Sequence, residues 1–368
     1  MIELSLSKKL IVKIGSSLIV DSSSSRLRIN WLKSLAHDIS KAKMRGTDVI
    51  IVSSGAIAIG RSILNLDNDN LSLEESQAAA AVGQIKLSRV YQEVLGPLGI
   101  VTAQVLLTLE DSENRRRYLN SRSTLNMLLS LNVTPIVNEN DTVATDEIRF
   151  GDNDRLASQV STMVGADSLV LLSDVDGLFT SNPRDNLVSD LLTNIDQITP
   201  EIELMAGGAS SIFSKGGMKT KIIAAKTATN AGCSVIICNG KENNPLSNLL
   251  NGQTHTLFRA KNDPFTARKN WISSMKAKGQ IKVDFGAIEA LKTGKSLLPA
   301  GVIDVMGSFS RGDPIDIIIE NGENFGKGLI NYNQLEIKKI MGKQSTQVKD
   351  ILGYSGRVSV VHRDNLVF

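Results

Sequence analysis

The chain has 368 residues, of which 42% are apolar and 21% charged, as is typical of globular proteins. At roughly 100–200 residues per domain, this length predicts two or three domains whose cores need no disulfide or structural metal. A net charge of +3 and an aromatic content of 4% argue against single-stranded nucleic acid as the main ligand.

Cysteine, histidine and apolar patterns exclude further classes of protein. Cys233 and Cys238 lie in or beside an apolar run, which is typical of buried thiols in a reducing compartment. The three histidines lie far apart without metal-ligand spacing, so no protein metal site is predicted. No apolar run reaches the roughly 18 residues of a membrane span, and segment 1–9 does not resemble a signal peptide. The sequence therefore predicts a cytoplasmic protein without a membrane partner.

The first two thirds of the chain alternate short apolar runs with amphipathic stretches. The predicted elements, in chain order, are strand 10–14, helix 26–45, strand 49–52, helix 54–64, helix 72–94, strand 100–105, helix 117–131, strand 133–137, helix 154–165, strand 168–172, helix 217–231 and strand 235–238. The strands are rich in Val, Ile and Leu without polar alternation, as in parallel strands buried on both faces. This alternation predicts a three-layer α/β/α domain with a mainly parallel sheet over residues 1–258.

The pattern changes after residue 258. Residues 259–278 are predicted to form a linker that includes a short helical piece. Between 279 and 368, short β-like runs are separated by glycines, which predicts a small, mostly β second domain. Residues 261–368 carry 16 Lys and Arg against 11 Asp and Glu, whereas the rest of the chain carries 25 against 27. The positive charge of the chain therefore lies in its C-terminal part.

Glycines and lysines follow one predicted strand and open a predicted helix. Lys13 stands at the end of the first strand, and Gly15 and Ser16 after it allow the backbone to approach a phosphate closely. Segment 215–221, Lys-Gly-Gly-Met-Lys-Thr-Lys, brings further lysines to the start of a helix. Ligands of such sheets bind at the carboxyl ends of the strands, so these segments predict a phosphate site. Lysines with an aspartate are the groups that phosphoryl transfer requires.

Acidic and amide side chains follow other predicted strands. Ser54-Gly55 opens a helix whose free N–H groups suit an anion. Segments 138–141 and 151–154 bracket a polar loop rich in Asn and Asp, which can recognise an ammonium group and a carboxylate together. Segment 173–174, Ser-Asp, follows a further strand. Each motif alone also fits ordinary helix capping or a solvated surface, so their combination carries the prediction.

The segment Thr293-Gly294-Lys295-Ser296 is similar to the end of a phosphate-binding P-loop. That motif requires a glycine at position 289, where the chain has Glu289. It also requires a strand before the loop, where the chain predicts a helix. We therefore expect phosphate to bind the N-terminal domain.

Taken together and in this order, the motifs resemble those of the glutamate 5-kinases, amino acid kinases with a C-terminal PUA domain. The matching segments are 12–17, 52–58, 80–84, 137–141, 151–154, 216–218, 296–299, 309–312 and 361–364. The resemblance spans nearly the whole chain. It implies an amino-acid-kinase fold followed by a PUA-like domain. The implied reaction is phosphorylation of the side-chain carboxylate of L-glutamate by ATP, the first step of proline synthesis.

The resemblance also implies residue roles. The catalytic residues would be Lys13, Lys221 and Asp174, with the lysines holding the phosphates and Asp174 orienting them or the nucleotide. The ATP-binding residues would be Lys13, Gly15, Ser16, Ser173, Asp174, Lys215, Gly216, Gly217, Met218, Lys219, Thr220 and Lys221. The glutamate-binding residues would be Ser54, Gly55, Asp141 and Asn153, with Asp152 and Asp154 close by. Mg²⁺ would bridge the β- and γ-phosphates with few protein ligands.

Regulation and partners are further implications of the resemblance. Proline would inhibit at or near the glutamate site, around loop 138–154, and the protein would form a homo-oligomer, a dimer or tetramer. For the PUA-like domain, a regulatory or stabilising role is favoured over RNA binding, although its positive charge is compatible with RNA. Ser214-Lys215 replaces the Gly-Thr pair usual in the family, which predicts tighter contact with the nucleotide.

Two alternatives remain open from the sequence. The first is a kinase for another amino-acid carboxylate, of the aspartate or acetylglutamate type. The second is a non-catalytic RNA-binding or sensor protein with a degenerate kinase domain. Intact Lys13, Asp174 and Lys221 argue against the second alternative.

Overall fold

A computed structural model describes residues 3–21, 26–66, 71–143, 153–181, 189–206 and 217–368 of the chain. The chain divides into two compact units, Met1–Pro264 and Phe265–Phe368. The predicted domain and linker bounds stay a prediction. None of the helices in the described ranges combines the length and apolarity that a membrane crossing requires.

The described part of the N-terminal unit contains an eight-stranded sheet and a separate two-stranded pair. The strands of the large sheet are β1 (Lys9–Ile14), β2 (Asp48–Ser53), β3 (Thr102–Leu107), β4 (Thr134–Glu139), β5 (Ser168–Ser173), β8 (Asn194–Ile195), β9 (Ser234–Asn239) and β10 (His255–Phe258). The antiparallel pair is β6 (Leu178–Phe179) with β7 (Leu191–Leu192). The strand order is β3-β4-β2-β1-β5-β9-β10-β8, and each neighbouring pair is parallel except β9 with β10. The prediction of a mainly parallel sheet is confirmed.

Helices cover both faces of this sheet. They are α1 (Ser16–Ile19), α2 (Ile29–Met44), α3 (Ala56–Ile63), α4 (Leu73–Leu95), α5 (Leu109–Glu113), α6 (Arg115–Ser130), α7 (Asn153–Val164), α8 (Pro200–Met205), α9 (Met218–Asn230) and α10 (Pro245–Leu250). Successive β1 residues enter different cores: Val12 belongs to the core that contains Leu35 of α2, whereas Ile11 belongs to the core that contains Val160 of α7. Side chains of a strand point alternately to the two faces, so the sheet lies between two helical layers. The three-layer α/β/α prediction is confirmed.

A close crossing of α3 and α4 sets the geometry at the end of β2. A Cβ added to Gly60 would lie 1.7 Å from the carbonyl oxygen of Ala79, and one added to Gly83 would lie 1.8 Å from that of Ala56. Both glycines are therefore required for the helices to pack at this distance. Gly55, before α3, has a φ of 103°, a left-handed conformation that glycine adopts without strain.

The C-terminal unit contains a five-stranded sheet and short helices. Its strands are β11 (Gly279–Val283), β12 (Val302–Gly307), β13 (Pro314–Ile319), β14 (Asn324–Ile330) and β15 (Val361–Val367), in the order β12-β11-β13-β14-β15. Helix α11 (Pro264–Ser274) begins at the unit boundary, and α12 (Phe285–Lys292), α13 (Gln334–Ile340) and α14 (Val348–Leu352) follow. Helix α12 is the helix predicted before segment 293–296, whereas α13 and α14 were not predicted, because helices of two turns or less show too little periodicity to be recognised.

The P-loop-like segment is the end of helix α12. Gly294 has a φ of 78°, and its backbone N–H donates to the carbonyl of Leu291 over 2.9 Å. The N–H of Lys295 donates to the carbonyl of Ala290 over 3.0 Å, which completes a Schellman cap. A helix C-terminus presents carbonyl oxygens rather than N–H groups, so this segment lacks the anion-binding backbone of a P-loop.

Candidate active site

Two buried lysines meet on one buried aspartate at the carboxyl edge of the sheet. Lys13 is the next-to-last residue of β1, whereas Asp154 lies in the first turn of α7 and Lys221 in the first turn of α9. The Nζ of Lys13 is 2.6 Å from Oδ1 of Asp154, and the Nζ of Lys221 is 2.9 Å from Oδ2. The residues are 8%, 5% and 0% exposed for Lys13, Lys221 and Asp154. One carboxylate therefore holds both ammonium groups.

The charges of this cluster are mutually dependent. Burial by itself raises the pKa of Asp154, but the adjacent charges of Lys13 and Lys221 lower it to about 2. Asp154 is consequently ionised at neutral pH. Two ammonium groups against one carboxylate leave one net positive charge, and a charge held away from water attracts an anion strongly. Such a cluster can bind a polyphosphate and stabilise charge on a moving phosphoryl group.

The start of helix α9 is tied to the same aspartate. The hydroxyl of Thr220 lies 3.2 Å from Oδ2 of Asp154 and 2.8 Å from the carbonyl oxygen of Gly217. Gly217 is the N-cap of the helix, and Met218 and Lys219 in its first turn are half-buried. The hydroxyl therefore couples the glycine before α9 to the charged cluster.

A chain of hydrogen-bonded side-chain amides extends from Asn153, next to Asp154, to helix α4. The Nδ2 of Asn153 donates to the carbonyl of Ser53 (3.1 Å), to the hydroxyl of Ser54 (2.9 Å) and to Oδ1 of Asn138 (2.8 Å). The Nδ2 of Asn138 donates in turn to Oε1 of Gln84 over 2.7 Å. These contacts bring β2, β4, α4 and α7 together around the polar residues predicted to bind the amino acid.

Asp141 lies in the turn that follows β4 and is half-buried. Burial raises its pKa to about 6. Its carboxyl group therefore titrates close to neutral pH, whereas that of Asp154 does not. A cationic group of a ligand, such as an ammonium group, would favour its ionised form.

The residues predicted to follow β1 and β5 lie at the ends of those strands. Gly15 is the N-cap of α1 and Ser16 its first residue, and the carbonyl of Gly15 accepts from the N–H of Leu18. Ser173 ends β5, and its hydroxyl is 3.3 Å from Oδ1 of the exposed Asp174.

Asp154 is the carboxylate that contacts both lysines, and a role for Asp174 in orienting them stays a prediction. Asp154 had been expected only beside the glutamate site. Chain order alone could not distinguish two aspartates that each follow a strand or open a helix. A role for Asp174 toward the nucleotide stays a prediction.

Three predicted site residues, Asp152, Lys215 and Gly216, lie outside the described residues, as does Ser214. Sequence reasoning assigned no role to Ser53 or Gln84, and it included Asn138 only as part of the polar segment 138–141. Gln84 and Asn138 could have been singled out because they lie in segments that carry the family resemblance. Nothing in the sequence indicates that the two side chains are in contact.

The donor set of this site does not fit a metal ion held by the protein. Across the described ranges, no group of three or more His, Cys, Asp or Glu lies close enough to form a metal site. Asp154 is the buried carboxylate of the cluster, and both of its oxygens already face ammonium groups. A divalent cation at this position would have to displace a lysine.

Comparison with known proteins agrees with this architecture. The profile of the Amino acid kinase family matches residues 8–239, and that of the PUA domain matches residues 279–352. The glutamate 5-kinase of Dinoroseobacter shibae is 56% identical over 367 residues, covering 100% of both chains. That of Cereibacter sphaeroides is 57% identical over 360 residues, covering 98% of this chain and 97% of the relative.

A solved carbamate kinase from Giardia lamblia, bound to AMP-PNP, matches 69% of this chain and 99% of its own, with 15% identity and a TM-score of 0.49. The family assignment depends on the full-length relatives and the profile matches instead. On those grounds the chain belongs to the amino acid kinase family, and within it to the glutamate 5-kinases with a C-terminal PUA domain.

Proposed function

We propose that this enzyme transfers the γ-phosphoryl group of ATP to the side-chain carboxylate of L-glutamate. The products are ADP and L-glutamyl 5-phosphate, and the reaction is the first step of proline synthesis. The observation that carries the proposal is 56% identity to a glutamate 5-kinase over the full length of both chains. The buried pair of lysines at the sheet edge supports it chemically.

The nucleophile requires no activation by the protein. A glutamate side chain has an ordinary pKa of about 4.3, so it is already ionised at neutral pH and needs no general base. One carboxylate oxygen forms a bond to the γ-phosphorus, while the bond from that phosphorus to the β–γ bridging oxygen breaks. The electron pair of the broken bond leaves with ADP.

Lys13 and Lys221 neutralise charge on the transferring group. Phosphoryl transfer spreads negative charge over the equatorial oxygens, and preorganised cationic donors stabilise it. Asp154 acts as the positioning residue, because its two oxygens hold the two ammonium groups in place before ATP binds. Because Oδ1 and Oδ2 of Asp154 lie 2.6 Å and 2.9 Å from the two Nζ atoms, this one carboxylate can position both lysines.

The amino acid is proposed to bind beside this cluster. Ser54 and Asn153 supply a hydroxyl and an amide that already contact each other, and the N-terminus of α3 after Gly55 offers N–H groups. Asp141 would pair with the α-ammonium group, and Asp152 and Asp154 would lie close by. The site would thereby bind both charges of an amino acid.

ATP is proposed to lie along the segments that follow β1 and β5 and open α9. The residues proposed to bind it are Lys13, Gly15, Ser16, Ser173, Asp174, Lys215, Gly216, Gly217, Met218, Lys219, Thr220 and Lys221. Mg²⁺ is proposed to accompany the nucleotide as a complex with its phosphates. Since the described protein residues do not form a metal site, no step is assigned to protein-bound metal.

Proline is proposed as an inhibitor that competes for the amino-acid site. It shares an α-carboxylate and an ammonium group with glutamate, so the same residues would bind both. Asn153→Ala is expected to weaken glutamate binding and proline inhibition together. Normal behaviour toward both would contradict this overlap.

The remaining proposals concern the protein as a whole. We propose a cytoplasmic homo-oligomer in which the PUA-like unit regulates or stabilises the kinase rather than binding RNA. Domain bounds of 1–258 and 279–368, with a linker between them, are part of this proposal. Sedimentation of the purified chain, and assay of any copurifying RNA, would test these points.

Trapping of the acyl phosphate with hydroxylamine tests the reaction. ATP-dependent hydroxamate formation is expected with L-glutamate, and rates at least about 100-fold lower with L-aspartate or N-acetylglutamate. A preference for either of those acids would favour a kinase of another carboxylate. No hydroxamate with any acid would favour a non-catalytic protein.

A matched pair of variants on helix α9 links the activity to the cluster. Lys221→Met is expected to reduce kcat by about 10²- to 10³-fold, the usual cost of removing one preorganised electrostatic donor. Lys226→Met is the control, because Lys226 lies on the same helix, is exposed and pairs with Glu203. Equal losses in both variants would contradict the assignment of Lys221.

A further inference from the structure

Only one end of the Gln84 carboxamide is used in the structure. Gln84 lies on α4, is 9% exposed, and its Oε1 accepts the hydrogen bond from Asn138. Its Nε2 is buried and has no hydrogen-bond partner in the described part of the chain. A buried amide nitrogen without an acceptor is rare in folded proteins and calls for an explanation.

The orientation of this amide follows from a backbone carbonyl three steps away. The carbonyl of Ser53 can only accept, so Asn153 must face it with Nδ2. The oxygen that accepts from Asn153 must then be Oδ1 of Asn138, which turns the Nδ2 of Asn138 toward helix α4.

The Nδ2 of Asn138 can only donate, so Gln84 must present Oε1 to it. Flipping any amide in this chain of amides would bring two oxygens or two NH₂ groups together. The unpartnered Nε2 of Gln84 is therefore a consequence of the whole network and not of one arbitrary rotamer.

The position of Gln84 is fixed by its neighbour in the chain. A Cβ on Gly83 would lie 1.8 Å from the carbonyl oxygen of Ala56, so α4 packs directly on the first turn of α3. That contact holds Gln84 close to the segment that contains Ser54. Gln84 thus belongs to the hydrogen-bond network that contains Asn153 and Ser54, two residues of the proposed amino-acid site.

We propose that Gln84 is a specificity-determining residue, whose Nε2 donates a hydrogen bond to the α-carboxylate of the amino-acid substrate. This inference rests on the proposed function, which supplies a substrate with two carboxylates. The reacting carboxylate has to lie at the lysines held by Asp154. Gln84 is separated from Asp154 by Asn153 and Asn138, so the α-carboxylate is the acceptor left for it.

The decisive variant is Gln84→Glu. It retains an oxygen for Asn138 but replaces the NH₂ donor with a carboxylate oxygen, which repels the α-carboxylate. The KM for glutamate is expected to rise about 10- to 100-fold, the usual range for a hydrogen bond to a charged group. The KM for ATP is expected to stay within about twofold, because the chain of amides itself is preserved.

Gln92→Glu provides the matched control. Gln92 lies on the same helix but is exposed, so the same substitution is expected to leave both KM values unchanged. Direct binding of glutamate to the protein without ATP, measured by calorimetry, gives a readout that does not depend on turnover. Gln84→Met, which removes the donor without adding charge, is assayed in parallel in case Gln84→Glu does not fold.

A substrate analogue identifies the carboxylate involved. 4-Aminobutyrate is glutamate without its α-carboxylate, so its binding to the wild-type enzyme and to the Gln84 variants is expected to differ by less than about threefold. Glutamate binding that is unchanged in the variants, or an equal loss for both ligands, would overturn the proposal. A wild-type enzyme that forms no glutamyl hydroxamate would instead overturn the proposed function.

Discussion

Lysines play different parts in the two units of this protein. In the N-terminal unit, Lys13 and Lys221 are buried and share Asp154. In the C-terminal unit, Lys292 is 55% exposed at its side chain and pairs with Glu289, which is 73% exposed. The C-terminal part carries the positive excess of the sequence, but its Lys292–Glu289 pair is exposed to solvent. The lysines suited to catalysis are therefore the buried and paired ones, because charge interactions strengthen as the surrounding dielectric falls.

The largest expected effect is that of Asp154→Asn. Without the carboxylate, two buried ammonium groups lose their partner, and we expect a loss of about 3–5 kcal/mol in the free energy of unfolding. We also expect kcat to fall at least about 100-fold. Glu289→Gln, which breaks the exposed pair of the C-terminal unit, is expected to cost at most about 1 kcal/mol. Urea unfolding measures the stability of both variants, and the hydroxamate assay measures their kcat. Equal losses of unfolding free energy in Asp154→Asn and Glu289→Gln would contradict the difference between the two units.

A second contrast concerns glycines. Gly83→Ala places a methyl group against the carbonyl of Ala56, and we expect a loss of about 1–3 kcal/mol or more in the free energy of unfolding. Gly294→Ala meets no atom within 4 Å but keeps a φ of 78°, so its cost of about 1–2 kcal/mol is conformational alone.

The control is Gly96→Ala, where the backbone is right-handed helical and no atom lies within 4 Å. This variant is expected to be neutral or slightly stabilising, because alanine reduces the entropy of the unfolded chain. Thermal melting of all three variants ranks them. A Gly83→Ala protein as stable as Gly96→Ala would show that α3 and α4 do not need their close approach.

A third prediction uses the pH dependence of Asp141. Its pKa of about 6 means that the free enzyme loses this negative charge between about pH 7 and pH 5. If the carboxylate binds the ammonium group of glutamate, KM for glutamate rises about tenfold from pH 8 to pH 5. Asp141→Asn is expected to raise KM at pH 8 and to flatten this dependence. A wild-type KM for glutamate that does not change with pH would contradict the assignment of Asp141 to the glutamate site.

The same pKa predicts that stability changes with pH in the opposite direction to glutamate binding. A raised native pKa means that the folded state binds more protons than the unfolded state between about pH 4 and pH 6. The contribution of Asp141 to stability therefore falls as pH rises through this window. Asp141→Asn is expected to remove that part of the pH dependence of urea unfolding.

The smallest expected effect is in the C-terminal unit. Lys295→Met changes the lysine of the P-loop-like segment, which lies at the C-terminus of α12. The KM for ATP is expected to stay within twofold of wild type, since a helix C-terminus repels phosphate. A loss of activity comparable with that expected for Lys221→Met would instead indicate a phosphate site in the C-terminal unit.

Much of the N-terminal fold could be predicted because its signals are local. Buried apolar runs and amphipathic stretches identified β1, β2, β4, β5 and β9 with the helices between them. Short elements such as β8, with two residues, and α14, with five, were missed because periodicity cannot develop over so few positions. The helix predicted before β4 corresponds to α6, whereas residues 144–152 of the predicted loop 138–154 lie outside the described residues.

The sequence by itself determined where candidate groups stand relative to strands and helices. Lys13 had to lie at the end of the first strand and Lys221 near the start of a helix, because each lies inside its own local pattern. From that placement a phosphate site at the sheet edge could be predicted without coordinates.

Only the tertiary structure decided which of these groups meet. The order of strands across the sheet, together with the positions of α7 and α9, brings Asp154 to both lysines. The glycine contact between α3 and α4 brings Gln84 to Asn138, 54 positions along the chain. Local propensity carries no information on contacts over such separations, because they depend on how whole elements pack.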